Sequence, residues 1–294
     1  MSSLWTGVAG EISRATGKPY TIQTRESVAG GCINTATVIK DSKGRPFFVK
    51  LNDATRLAMF EAEAEGLKEI AHTHSVRVPQ PICWGVGEGS AWLVLEYLDL
   101  GSADARSQET LGRQLAHMHR ATNAQFGWRI DNTIGSTPQI NTPCHDWVEF
   151  WQQRRLGYQL ELTGGRAGKD LQRKGEQLLV HVGAFFRDYQ PVPSLLHGDL
   201  WSGNVAAVDS QPVIFDPAVY YGDREADIAM TELFGGFSKR FYDAYHETWL
   251  LDAGYKVRKT LYNLYHVLNH LNLFGGGYAS QAEQMIDALL SEIR

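Results

Sequence analysis

The chain has 294 residues and a mass of 32.8 kDa, enough for one large domain or for two lobes around a cleft. Hydrophobic residues make up 43% and charged residues 21%, which excludes a wholly disordered polypeptide. A formal charge of −5 without a Lys/Arg-rich block argues against a nucleic-acid surface, and the lack of a long apolar run or a basic-then-apolar leader predicts a cytoplasmic protein with no membrane partner.

In chain order, Leu4, Trp5, Val8, Ile12 and Ala15 share one face of a short helix, an N-terminal cover that ends before Pro19. Residues 28–40 read as strand, glycine turn and strand. Gly30 and Gly31 would let backbone amides approach a phosphate, or would simply serve a hairpin turn. Cys32 follows them and is a candidate redox residue, with a monomer or a Cys32-linked dimer as the corresponding states and a passive loop residue as the alternative. Cys83 and Cys144, the other two cysteines, form no CxxC pair with it, which leaves neither a disulfide framework nor a zinc site.

A turn at 41–44 precedes the apolar strand 47–49, which Lys50 closes. Such a lysine either reaches solvent or runs along a cleft wall to meet phosphate. The following segment is helical, with Phe60, Ala64, Leu67 and Ile70 for packing. Glu63, thirteen residues after Lys50, borders that apolar face, although Glu61 and Glu65 leave the choice of partner open from spacing alone. GVGEGS at 85–90 lacks the last glycine of a dinucleotide fingerprint and reads as a turn between strands at 82–84 and 91–98, and no P-loop motif occurs. Glu96 to Leu98 would line the back of a nucleotide cleft, and the composition change after Leu98 divides the chain into an ATP-binding lobe over 1–98 and a catalytic and substrate-binding lobe over 99–294.

Beyond that boundary LGRQLAHMHR forms an amphipathic helix on which His117 and His119 diverge, which gives them structural roles. Residues 126–147 are polar and turn-rich, either a rim loop for substrate access or an ordinary connection. Two helical regions follow, one from 147 and one from 169, the second ending before Pro191 and Pro193; Trp147 and Trp151 belong to the core.

The most informative segment is HGDLWSGN at 197–204, behind an apolar stretch and followed by VIFDP. It sets Asp199 five residues before Asn204, and Asp216 twelve residues later; a carboxylate, an amide and another carboxylate in that order resemble the phosphoryl-transfer centre of a kinase. Asp199 would orient an acceptor hydroxyl and receive its proton. Asn204 and Asp216 would offer oxygens to Mg2+. His197 more plausibly stabilises the loop, and Gly198 and Gly203 permit its tight path.

With these motifs assembled, the chain resembles the fructosamine/ketosamine kinases, in the aminoglycoside-phosphotransferase branch of the protein-kinase-like fold. The resemblance runs through GGCIN at 30–34, FFVK at 47–50, FEAEAEGL at 60–67, LEYL at 95–98, HGDLWSGN, FDPAVYYGDREADIAM at 215–230 and LYNLYHVLNHLNLFGG at 261–276. It implies an α+β bilobal fold, with a small antiparallel-sheet N-lobe carrying a helix and a larger, mainly helical C-lobe. It also implies that Lys50 binds ATP phosphates with Glu63 as its helix partner, that Asp199 is the base, that Asn204 and Asp216 hold magnesium, and that Asp227 braces the catalytic loop. FDP stands where protein kinases have DFG, as is usual in the resembled family. The implied reaction is ATP-dependent phosphorylation of the 3-hydroxyl of ribulosamines, erythrulosamines or fructosamines on glycated small amines or protein lysines, whose unstable product releases the amine and so repairs the protein.

Trp201 is placed to contact such a sugar-amine, with loop packing as the alternative. Tyr220, Tyr221, Asp223, Arg224 and Glu225 would complete the substrate wall, although Asp223 and Glu225 would equally favour the N-terminus of a following helix. Asn269 and His270 are candidate cleft-edge groups. The competing functions are a kinase for an aminoglycoside, choline or another small alcohol, and a noncatalytic nucleotide-binding scaffold.

Overall fold

The computed structural model describes residues 3–28, 33–164 and 168–293, so Gly30, Gly31 and Cys32, and with them the phosphate-loop and redox expectations, lie outside the described residues. β1 (Thr24–Val28), β2 (Thr35–Lys40), β3 (Pro46–Asp53), β4 (Pro81–Gly87) and β5 (Ser90–Glu96) form one antiparallel sheet in the order β1-β2-β3-β5-β4. Alternation along the strands decides what each face meets. Phe47 and Val49 of β3, with Trp92 and Val94 of β5, point to α1 (Ser3–Thr16) and its buried Trp5, Val8 and Ile12. Leu93 and Leu95 turn the other way, into the main core with Phe60, Leu67 and Ile70 of α2 (Leu57–His72). Lys50 follows Val49 and therefore shares the α2 face. The β4–β5 hairpin turns on Glu88 and Gly89, both left-handed at φ 48° and 76°, the two-residue geometry that matches strand twist.

The remaining chain is mainly helical. α3 (Ala105–Met118), capped by Asp104 accepting from Ser107 N at 2.7 Å, leads to a small hairpin of β6 (Asn132–Ile134) and β7 (Thr137–Gln139). That hairpin occupies the middle of the segment 126–147 and packs against α2. α4 (Trp147–Phe150) and α5 (Gly157–Thr163) are joined by the wider helical turns of Trp151–Leu156, and α6 (Lys169–His181), continued by a tighter turn over Val182–Phe186, forms the second expected helical region. β8 (Ser194–Leu196), β9 (Val205–Val208), β10 (Gln211–Ile214) and β11 (Tyr220–Gly222) frame the HGD segment. α7 (Glu225–Leu233), α8 (Lys239–Thr248), α9 (Tyr255–Phe274) and α10 (Tyr278–Glu292) close the fold. Trp147 and Trp151 are buried against Tyr262 of α9, as core residues. The result is the expected α+β arrangement, a small antiparallel sheet with its helix joined to a larger helical part. Among the described residues no helix is long and apolar enough to cross a membrane.

Candidate active site

The spacing of Asn204 and Asp216 is explained by a hairpin. β9 and β10 pair from Val205↔Ile214 to Val208↔Gln211, and the ladder gains one more bond where Phe215 N donates to Asn204 O at 3.1 Å. The chain thus returns after twelve residues to the position it left, and Asp216 emerges beside Asn204. Asp216 itself is left-handed at φ 56°, a conformation that aspartate accepts more readily than most side chains.

The loop that carries Asp199 is held by its own backbone and by His197. β8 pairs antiparallel with β11, Tyr220 opposite Leu196, and Ala218 N donates to His197 O at 2.8 Å. His197 is buried; its Nε2 donates to Phe215 O at 3.0 Å while its Nδ1 accepts from Asp199 N at 3.3 Å, which ties the loop to the strand before Asp216. Burial pushes the imidazole below its ordinary pKa and keeps it neutral, as this pair of bonds requires. Gly198 has φ +81°, and a Cβ there would lie 2.1 Å from Ala218 O, so the tight path admits only glycine.

Asp227 of α7 accepts from His197 N at 2.7 Å and Gly198 N at 2.8 Å. Burial opposes its charge, but the His119 hydrogen bond, the two imidazoles and the Gly198 amide outweigh it and hold Asp227 below the usual carboxylate range. His119 Nε2 donates to Asp227 Oδ2 at 3.1 Å, Tyr245 OH donates to His119 Nδ1 at 2.8 Å, and Arg224 donates to Tyr245 OH at 3.0 Å. This buried line runs from Arg224 to the backbone of the His197–Gly198 loop, and no spacing in the sequence pointed to it.

On the sheet side, Lys50 Nζ lies 2.5 Å from Glu63 Oε1 and 2.5 Å from Asp216 Oδ1. The structure thus selects Glu63; Glu65 instead pairs with Lys68 and Arg129. Burial works against a charged lysine, yet Asp216 and Glu63 together keep the ammonium more basic than a free one. Asp199 is half-buried, and burial, followed by the charges of Asp216 and Asp227, pushes its carboxyl up to about 7. Asn204 Nδ2 donates to Asp199 O at 2.9 Å, so the amide's oxygen is the end turned away from the loop backbone.

Glu96 ends β5 with its carboxylate on Arg77 at 2.5 Å and on Gln80 N at 3.2 Å, while its own N–H donates to Gln80 O at 2.8 Å. Leu98 is half-buried just past the strand end, where its backbone leaves the ladder. Trp201 is 39% exposed, edge-on to Phe234 at 6.4 Å, and its ring covers the α-carbon side of Gly203. His270 extends the same aromatic edge at 5.1 Å from Phe234, whereas Asn269 is buried and hydrogen-bonded to Ile134 O.

Asp223 and Glu225 are corrected: neither is free to form a substrate wall. Both are fully buried. Asp223 accepts from Tyr189 OH at 2.9 Å, from Tyr262 OH and from Glu225 N at 3.0 Å, and Glu225 holds Arg258 through two bonds of 2.8 and 3.1 Å. Their helix-terminal role is the one the packing favours, because α7 begins at Glu225 and its first amides turn back onto Asp223. Tyr220 and Tyr221 are likewise buried.

The family model described as fructosamine kinase matches residues 4–292. A probable ketoamine kinase of Synechocystis is 50% identical over 97% of this chain and 97% of its own length. A chloroplastic protein-ribulosamine 3-kinase of Arabidopsis thaliana is 46% identical over 95% of this chain and 86% of the relative. Among solved structures, one assigned as a fructosamine-3-kinase from Haemophilus somnus superposes with a TM-score of 0.89 at 30% identity, covering 98% of this chain and 99% of that one.

Proposed function

Because the chain belongs to the fructosamine kinase family, we propose that it is an ATP-dependent ketosamine-3-kinase, transferring the γ-phosphoryl group to the 3-hydroxyl of a sugar carried on a glycated amine. The reading rests above all on one observation: the ammonium of Lys50 meets the carboxylate of Asp216, 166 residues further on, where the β9–β10 hairpin has brought Asp216 back to the loop of Asp199 and Asn204. The names of the relatives, ketoamine and ribulosamine kinases, support the acceptor class.

In this reading Asp199 orients the acceptor hydroxyl and takes its proton as the oxygen attacks phosphorus. Lys50, held by Glu63, draws the phosphates into line and offsets their charge. Asn204 and Asp216 would hold Mg2+; a carboxylate and an amide oxygen are hard donors, and such an ion would complete its shell with phosphate and water. When bound, that ion neutralises charge on the phosphate chain. Asp227 keeps the loop amides in register beneath Asp199, and Leu98 with the end of β5 borders the adenine side. Trp201, exposed beside the loop, offers a ring face to the sugar and its cationic amine. The 1–98 and 99–294 parts act as the nucleotide and acceptor sides of one cleft.

The test is a transfer assay with ATP-Mg2+ and four acceptors, a ribulosamine, a fructosamine, an aminoglycoside and choline, followed by mass-spectrometric location of the phosphate. Phosphate on the sugar 3-hydroxyl of either ketosamine is the expected result. Preference for the aminoglycoside or choline would overturn the acceptor assignment, and ATP binding without transfer to any of them would point to a scaffold.

A further inference from the structure

Lys50, Glu63 and Asp216 meet only if α2 of the sheet side is kept at a set distance from the segment that follows Asp216. One stripe of α2 contacts that segment in order. Glu63 reaches the Lys50 ammonium that Asp216 also holds. One turn on, Gly66 faces Val219 and Pro217: a Cβ at this glycine would stand 3.0 Å from Val219 Cγ2 and 3.8 Å from Pro217 Cγ. Another turn on, Tyr221 OH donates to Glu69 Oε1 at 2.8 Å. Gly66 has helical backbone and needs no special φ, so its lack of a side chain serves this close approach alone.

The opposite side of the same segment is anchored in the helical part. Asn132 Nδ2 donates to Val219 O at 2.8 Å and Gln139 Nε2 to Ala218 O at 3.1 Å, both from the small β6–β7 hairpin. Gln139 is in turn fixed by Tyr265 OH at 2.7 Å, and Ala218 N by His197 O. Residues 216–221 therefore form a rail that cannot yield to α2 without breaking buried hydrogen bonds.

We propose that Gly66 and Tyr221 are positioning residues that hold α2 closed on this rail, so that the Lys50–Glu63–Asp216 arrangement stands ready before nucleotide arrives. This rests on the phosphotransferase reading of the site. A side chain at Gly66 would displace α2 by a few tenths of an ångström and move the phosphate-binding cation, while the acceptor side, built from the loop and the C-terminal helices, would stay in place.

The experiment pairs Gly66→Ala with Val219→Ala, measuring ATP-Mg2+ affinity by calorimetry, the KM of each substrate, and Tm. Wild-type transfer in the same series tests the underlying reading separately, and the affinity measurement stands even if the acceptor class is wrong. Gly66→Ala is expected to weaken ATP affinity and lower kcat/KM for ATP about tenfold, with acceptor KM changed by less than about twofold. Helix propensity alone predicts the opposite, a variant at least as stable and as active as the parent, since alanine is the better helix former. Val219→Ala removes Cγ2, the atom at 3.0 Å, and leaves Val219 Cβ at 3.4 Å, an ordinary contact, so the double variant should recover to within about threefold of wild type. Tyr221→Phe, which keeps the ring, should weaken ATP affinity about threefold with the same split between substrates. Unchanged ATP affinity in Gly66→Ala, a double variant no better than the single one, or equal losses for ATP and acceptor would each overturn the proposal.

Discussion

Two acidic groups, the half-buried Asp199 and the buried Glu225 with its neighbour Asp223, lie within 26 residues of each other and differ in what they are given to bond. Asp199 has its pKa pushed up to about 7 by burial and by the carboxylates of Asp216 and Asp227, with the Asn204 amide, at 3.4 Å, as the counterweight on its side chain. Glu225, the second group with Asp223, is also pushed up to about 7, again chiefly by burial. It is nevertheless saturated: Arg258 holds it through two bonds, and Asp223 beside it takes two tyrosine hydroxyls and an amide. A perturbed carboxylate is thus no mark of chemistry in itself. What separates the two is the unspent bonding capacity of the half-buried Asp199, against the completed shell of the buried Asp223–Glu225 pair.

The contrast can be broken most severely at Asp199. Asp199→Asn is expected to lower phosphate transfer by about 10²- to 10⁴-fold while ATP affinity stays near wild type, and steady-state kinetics with calorimetric ATP titration check both. The isosteric change in the other group, Glu225→Gln, should act on folding: Arg258 loses its buried carboxylate and keeps Asp252 as its remaining ion-pair partner, at a cost of about 3 kcal/mol in urea denaturation, with turnover of the folded protein retained.

Stability at high pH sharpens the comparison further. The folded-state pKa of Asp199 lies above its unfolded value, so its contribution is fully favourable at low pH and is lost as pH rises toward and through about 7. At pH 8 the neutral Asp199→Asn side chain escapes that cost, and the variant should be more stable than the parent by about 1–3 kcal/mol, an inactive protein that melts later. A Tm equal to or below wild type at pH 8 would show that the carboxylate is better compensated than its surroundings indicate. The same shift fixes the sign of the activity profile: a base must be unprotonated, so kcat/KM should fall about tenfold per pH unit below about 7. The smallest effect is expected from Tyr189→Phe, which removes one of the hydroxyls on Asp223 and should cost about 1 kcal/mol with no change in kinetics.

Much of the site was legible because its geometry is local. Lys50 faces α2 because it follows the alternation of β3, and Asp216 returns to Asn204 because twelve residues are what one short hairpin and its flanks require. Gly198 was readable as a tight passage for the same reason, although its neighbour, Ala218 O, was not. The line from Arg224 through Tyr245 and His119 to Asp227 joins residues 108 or more positions apart at its His119 links, and no spacing announces it.

By itself, then, the sequence determined the order of the elements up to β5, the carboxylate–amide–carboxylate motif and its family, since propensity, alternation and hairpin length act between near neighbours; the β6–β7 hairpin within 126–147 was not among them. Only the tertiary structure decided which glutamate meets Lys50, that Asp223 and Glu225 are sealed into the core, and that α2 packs on the Asp216 segment through Gly66 and Glu69. Those outcomes depend on which distant groups share a buried volume, and a buried charge takes its role from the partners it finds there.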